Sequence, residues 1–157
     1  MRFVPQSAPR NAWRPEPPVS ELTSSARACA AHLRHLVTTI PRRSQDIHVD
    51  DCLTLVNDFF ETFARLRDEE ERISASLRLT PMWRSHLGES DDLHRTLLRT
   101  LPTWQREVLV QKPFAFVESW RRVSPHILSF LETCDNLYVI VDRLFAHQRS
   151  REPAGIA

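Results

Sequence analysis

The sequence predicts an all-α protein, a single helical bundle of five to seven helices with two long amphipathic members, and three observations carry that prediction. Apolar residues recur at alternating steps of three and four over long stretches, the spacing that gathers side chains on one face of an α-helix. Prolines stand at the borders of those stretches, where a helix must begin or stop. Glycine is limited to Gly88 and Gly155, which removes most of the tight turns that sheet-rich folds need and any glycine-rich loop able to cradle phosphate.

Residues 1–19 hold five of the 11 prolines and Trp13 as their one tryptophan. Proline fixes φ and removes a donor, and few apolar groups are present to dock the segment, so a disordered Pro/Arg-rich arm is expected. The first helix should start at Ser20, whose side chain can cap it, and stop at Ile40 before Pro41. Leu22, Ala26, Cys29, Ala30, Leu33, Leu36, Val37 and Ile40 form its inner face.

The second helix should start between Asp46 and Asp50 and run to Leu79. Cys52, Val56, Phe59, Phe63, Leu66, Glu70, Ile73 and Leu77 follow the 3.5-residue period of a coiled-coil seam, broken only by Glu70. Leu53, Phe60 and Ala64 widen the stripe in the first half, so the second half, 66–77, is expected to be narrower and more exposed. Thr80-Pro81 reads as a cap and first helical residue, opening a short turn that ends at Gly88. Ser90 should then cap a further helix, with Asp91 and Asp92 at its positive end, Leu93, Leu97, Leu98 and Leu101 inside, and Pro102 closing it. Brief helices are expected over 103–110 and 113–123. Ser124-Pro125 repeats the cap-and-proline signal and should open the last helix, which buries Ile127, Leu131, Cys134, Tyr138, Val141 and Phe145. The domain is thus expected over 20–149, with 150–157 as a frayed tail.

Chemistry is harder to find. Seven histidines raise the question of metal, yet the Glu-x-x-His pairs of carboxylate-bridged bundles reduce here to a single Asp91-x-x-His94, where capping accounts for Asp91. Cys29 and His32, even with His35 or Cys52, do not supply four well-placed zinc ligands. Cys29, Cys52 and Cys134 form no short-spaced pair and read as free buried thiols in a reducing compartment. No nucleophile sits beside a base in a recognisable motif, so no catalytic residue, no cofactor and no metal are expected.

The remaining signal is for partners. Lys112 is the one lysine among 21 Lys and Arg residues, and the formal net charge is only +1, a balance that disfavours nucleic-acid binding. The lysine scarcity fits a GC-rich genome, or a protein delivered into a host cell where it escapes ubiquitin tagging. The longest core-like apolar run, 137–141, is far short of the ~20 residues of a membrane span, and with no signal-peptide core at the start a cytoplasmic setting is expected. Core packing accounts for each of Trp83, Trp104 and Trp120 singly, while Trp83-Arg84, Trp104 with Arg106, and Trp120-Arg121 pair the residue types that interface hot spots favour. The expected function is therefore a non-catalytic module that binds another protein, or itself, through an apolar groove or an exposed helical seam. Leu66, Ile73, Leu77, Trp83, Trp104, Trp120 and Arg121 are the partner-binding candidates. The alternatives are a small helical enzyme or ligand-binding protein with an internal cavity, and a nucleic-acid accessory factor, which would need its arginines gathered on one surface.

Overall fold

The computed structural model describes residues 22–76 and 80–151. The expected arm 1–19, Ser20, Leu77 of the seam and the tail beyond 151 lie outside the described residues. Five α-helices follow in order: α1 (Ser24–Thr39), α2 (Val49–Ser76), α3 (Pro81–Thr100), α4 (Arg106–Gln111) and α5 (Pro113–Arg151), with 3-10 turns at Ser44–Asp46 and Leu101–Trp104. Among the described residues there is no strand.

Side-chain pairings fix the helix directions. Arg72 near the end of α2 donates to the Leu22 carbonyl just before α1 (3.1 Å), and His32 meets Asp58 (2.9 Å), so α1 and α2 are antiparallel. On the other side of α2, Trp83 Nε1 donates to Ser74 Oγ (2.7 Å) and Arg67 to Asp91 (2.6 Å), which runs α3 antiparallel to α2. Phe59 against Trp120, Phe63 against Phe130 and Tyr138 against Glu70 increase together, so α2 and α5 run parallel. Two parallel helices across a diagonal, with α1 and α3 antiparallel between them, make an up-down-up-down four-helix bundle. The short α4 and the turn before it sit at one end, where Arg106 reaches Asp50 at the start of α2.

The seam of α2 is where the spacing put it: Cys52, Val56, Phe59, Phe63, Leu66, Glu70 and Ile73 are all buried. They meet Ile127, Phe130, Leu131, Cys134, Tyr138 and Val141 of α5 in one core. Asp50 and Asp51 lie in the first turn of α2, where the partial positive charge of the free N–H groups favours them. Thr80 caps α3 by accepting from the Trp83 backbone N–H (3.3 Å), with Pro81 at the first turn.

Several boundaries differ from expectation. Gly88 does not end a helix, and Ser90 does not cap one: α3 passes through both, and Ser90 is buried in its middle. A glycine inside a helix costs about 1 kcal/mol relative to alanine, less than the burial of Trp83, Leu93 and Leu97 on one uninterrupted face returns. Asp91 therefore acts mid-helix as the ion partner of Arg67. Similarly, 113–123 and the helix expected from Ser124 are one helix of 39 residues, with Pro125 inside. The missing proline N–H is outweighed because Trp120, Val123, Ile127 and Phe130 on either side belong to the same buried stripe. Thr23 precedes α1 but makes no capping bond; its hydroxyl donates to the buried Asp142 (2.7 Å), which also accepts from Arg27 (2.9 Å). Cys29 is only half-buried, Ala64 is exposed while Thr62 takes the inner position, and Leu98 is exposed. Arg72 pairs with Glu69.

Where the seam was expected to be exposed, its described apolar residues are interior: Leu66 and Ile73 have no solvent-accessible surface. Ile73→Ala should consequently lower the unfolding free energy by roughly 2–4 kcal/mol, the range for a truncated core aliphatic. Urea denaturation checks this, with exposed Phe114→Ala as a comparison expected within about 0.5 kcal/mol of the parent.

Candidate functional site

Glu70 is the seam residue that breaks the apolar rule, and the bundle builds a polar cluster around it. Its position one step from Leu66 and one from Ile73 carries it into the core, where it is 1% exposed. A carboxyl group taken out of water needs donors aimed at it. They come from both other long helices: Tyr138 of α5 donates its hydroxyl to Glu70 Oε2 (2.8 Å), and His86 Nε2 of α3 makes a short contact with the same oxygen. Cys134 Sγ, one turn before Tyr138, lies 3.9 Å from His86 Nε2. His86 stacks face to face on Phe130 (5.1 Å between centroids) and leans on Trp83 (5.3 Å). The opposite atoms of the central pair, Glu70 Oε1 and His86 Nδ1, are buried without a hydrogen-bond partner.

The electrostatics follow from this burial. Loss of water, and then the neighbouring Glu70, push the Cys134 thiol and the Tyr138 phenol well above their usual ranges, so both are protonated at neutral pH. Burial alone raises the Cys52 thiol to about 11. None of these thiols has the electropositive setting of an activated nucleophile.

A second feature lies on the surface between α3 and α5. Three adjoining hollows form one trough: Glu89 and Thr133 border the first and second, Thr96 and His126 the second and third. One end is apolar, with Leu137 behind the exposed Met82 (46%) and Ile140 (37%). Glu89 and Asp92 flank the middle, and Arg99 and Arg122 border the far end. All three hollows are open to solvent. Along α3 from Met82 to Arg99 the trough is about 25 Å long at 1.5 Å per residue.

Of the partner-binding candidates, Leu66, Ile73, Trp83, Trp104 and Trp120 are core residues, and Leu77 lies outside the described residues. Trp104 and Trp120 stack edge to face (5.4 Å), and Trp104 Nε1 donates to Ser119 Oγ (3.1 Å). Of the described candidates only Arg121 is exposed. The structure brings together none of the combinations weighed for metal: His32 is held by Asp58, and Asp91 by Arg67. What sequence reasoning missed is Glu70 with His86, Cys134 and Tyr138, separated by up to 68 residues. The one signal was the acid in an otherwise apolar seam. No family model, no curated protein and no solved structure matches the chain.

Two measurements bear on the cluster. In EDTA, Glu70→Leu or His86→Leu alone should destabilise by roughly 3–5 kcal/mol, because each leaves a buried polar partner without its mate, while the double variant should lose less than the two single losses together. Urea unfolding of the four proteins gives the coupling. The pH dependence has a definite sign: an acid whose folded-state value is raised is ionised first in the unfolded chain. Stability from Cys52 is therefore complete below pH 9 and falls as pH rises through about 11, by on the order of 2 kcal/mol. Denaturation from pH 7 to 11 should show this fall, and Cys52→Ala should reduce it.

Proposed function

We propose that this protein is a helical interaction module that receives an amphipathic helix of another protein in the α3/α5 trough. The observation that carries this reading is the continuity of the trough, from an apolar end at Met82, Leu137 and Ile140 to carboxylates at Glu89 and Asp92. Its length of about 25 Å suits roughly five helical turns, and an open cleft favours a segment of chain over a small enclosed ligand. The charge order defines the occupant. Glu89 lies two turns beyond Met82, so a docked helix should carry one or two large apolar residues and, about seven positions away on the same face, an Arg or Lys.

The arginines support a protein partner over a nucleic acid. Arg27, Arg34, Arg67 and Arg106 each face a carboxylate on another helix and are engaged within the fold. Phosphate binding relies on unengaged cations gathered on one face.

The test is selection from a displayed library of helical peptides against the full chain, followed by titration and amide-shift mapping. Selected peptides should share the apolar-then-basic spacing, shift resonances along α3 and α5, and bind Ile140→Asp at least about tenfold more weakly. Phe114→Ser, at the exposed α4–α5 corner (66%), should leave binding unchanged. Peptides that bind Ile140→Asp as well as the parent, or that depend on Phe114, would overturn the reading.

A further inference from the structure

We propose that Glu70, His86 and Cys134 form a buried site for a divalent metal ion with the ligand preferences of zinc, assembled from α2, α3 and α5. One carboxylate oxygen, one imidazole nitrogen and one sulfur are the donor types that such an ion takes. Their ligating atoms all lie within 4.8 Å of one another, and this is the group of three or more such residues found among the described residues. Two ligands on a tetrahedral zinc ion sit about 3.3–3.8 Å apart, given bonds of 2.0–2.3 Å. The 3.9 Å between Cys134 Sγ and His86 Nε2 is already near that edge length, so the sulfur–nitrogen side of the site needs little movement.

The cluster also holds a buried acceptor that no donor meets. Glu70 Oε1 is buried with no partner, while Tyr138 holds the other oxygen and so orients the carboxyl group. A dication bound by a carboxylate and a thiolate is neutralised within its own ligand set, which suits a site walled by Phe130 and Trp83. On binding, the metal–sulfur bond replaces the S–H bond of Cys134, and that proton leaves to solvent. The ion takes the place between Glu70 Oε2 and His86 Nε2, any proton held on that contact leaves to solvent with the thiol proton, and no electron is transferred.

There is a route of approach as well. A cleft between α2 and α3 reaches Glu70; Asp68 and Glu71 border it, together with Asp91 and its partner Arg67. Carboxylates around a cleft concentrate cations at its mouth. Three protein ligands leave a fourth position for water or for an incoming anion.

The test uses the full chain, stripped with EDTA and titrated with cobalt(II) and with zinc. Cobalt should bind stoichiometrically, giving visible bands of a tetrahedral ion and a near-ultraviolet thiolate-to-cobalt charge-transfer band, and zinc should displace it and raise Tm. Cys134→Ser should abolish the charge-transfer band, Glu70→Gln and His86→Gln should weaken binding by at least about tenfold, and Cys29→Ser should change nothing. Circular dichroism checks that each variant is folded. If one is not, the parent and Cys29→Ser spectra still decide the matter. A folded parent that shows no charge-transfer band and no zinc-dependent rise in Tm, or a band lost in Cys29→Ser and kept in Cys134→Ser, would overturn the proposal.

Discussion

A carboxyl group on the inner face of α2 cannot be left in a helical core without donors, and Glu70 imposes that requirement on the bundle. Its only local neighbours along the seam are Leu66 and Ile73, which offer nothing to bond, so the donors come from other helices. Tyr138 and His86 meet it on α5 and α3. Apolar packing alone tolerates sliding by a turn, because leucine against phenylalanine is much the same one turn along. A buried carboxyl penalises every such slide by the desolvation of an unpartnered polar group. Glu70 thereby fixes the register of three helices at one point.

The remaining polar contacts act as pins at other heights of the same bundle. Thr23 and Arg27 converge on Asp142 and set the start of α1 against the late part of α5. Ser74 takes the indole N–H of Trp83, and Ser119 that of Trp104, so both rings are placed with their polar edges satisfied. Between these pins Phe59, Phe63, Trp120 and Phe130 fill the diagonal between α2 and α5. The filled interior draws α3 inward by its Trp83, His86, Leu93 and Leu97 face. The outward flanks of α3 and α5 are left unfilled, and the trough runs along them. His86 joins the two features, since it bonds Glu70 below and borders the apolar end of the trough above.

Much of this architecture was legible in the chain. The buried stripe of α2, the inward face of α1 and the Thr80-Pro81 start of α3 depend on spacing and on local backbone chemistry, which a single segment expresses by itself. The polar cluster left one trace, the acid at seam position 70. Its partners at 86, 134 and 138 were hidden because each looks ordinary on its own helix. His86 has no chemical neighbour in sequence, and Cys134 and Tyr138 fit an apolar stripe as well as a site.

The sequence by itself determined which faces of which segments are apolar, because amphipathic periodicity is a property of consecutive residues. Only the tertiary structure decided how far each helix runs and which side chains meet. Gly88 and Pro125 are breakers by local propensity, worth about 1 and 3 kcal/mol, yet α3 and α5 pass through them because each carries one continuous face into a shared core. The same burial decided between the two readings of the tryptophans at 83, 104 and 120 and placed them in the core. A residue's neighbours across the bundle depend on register, and register is set by contacts between segments that no single segment contains.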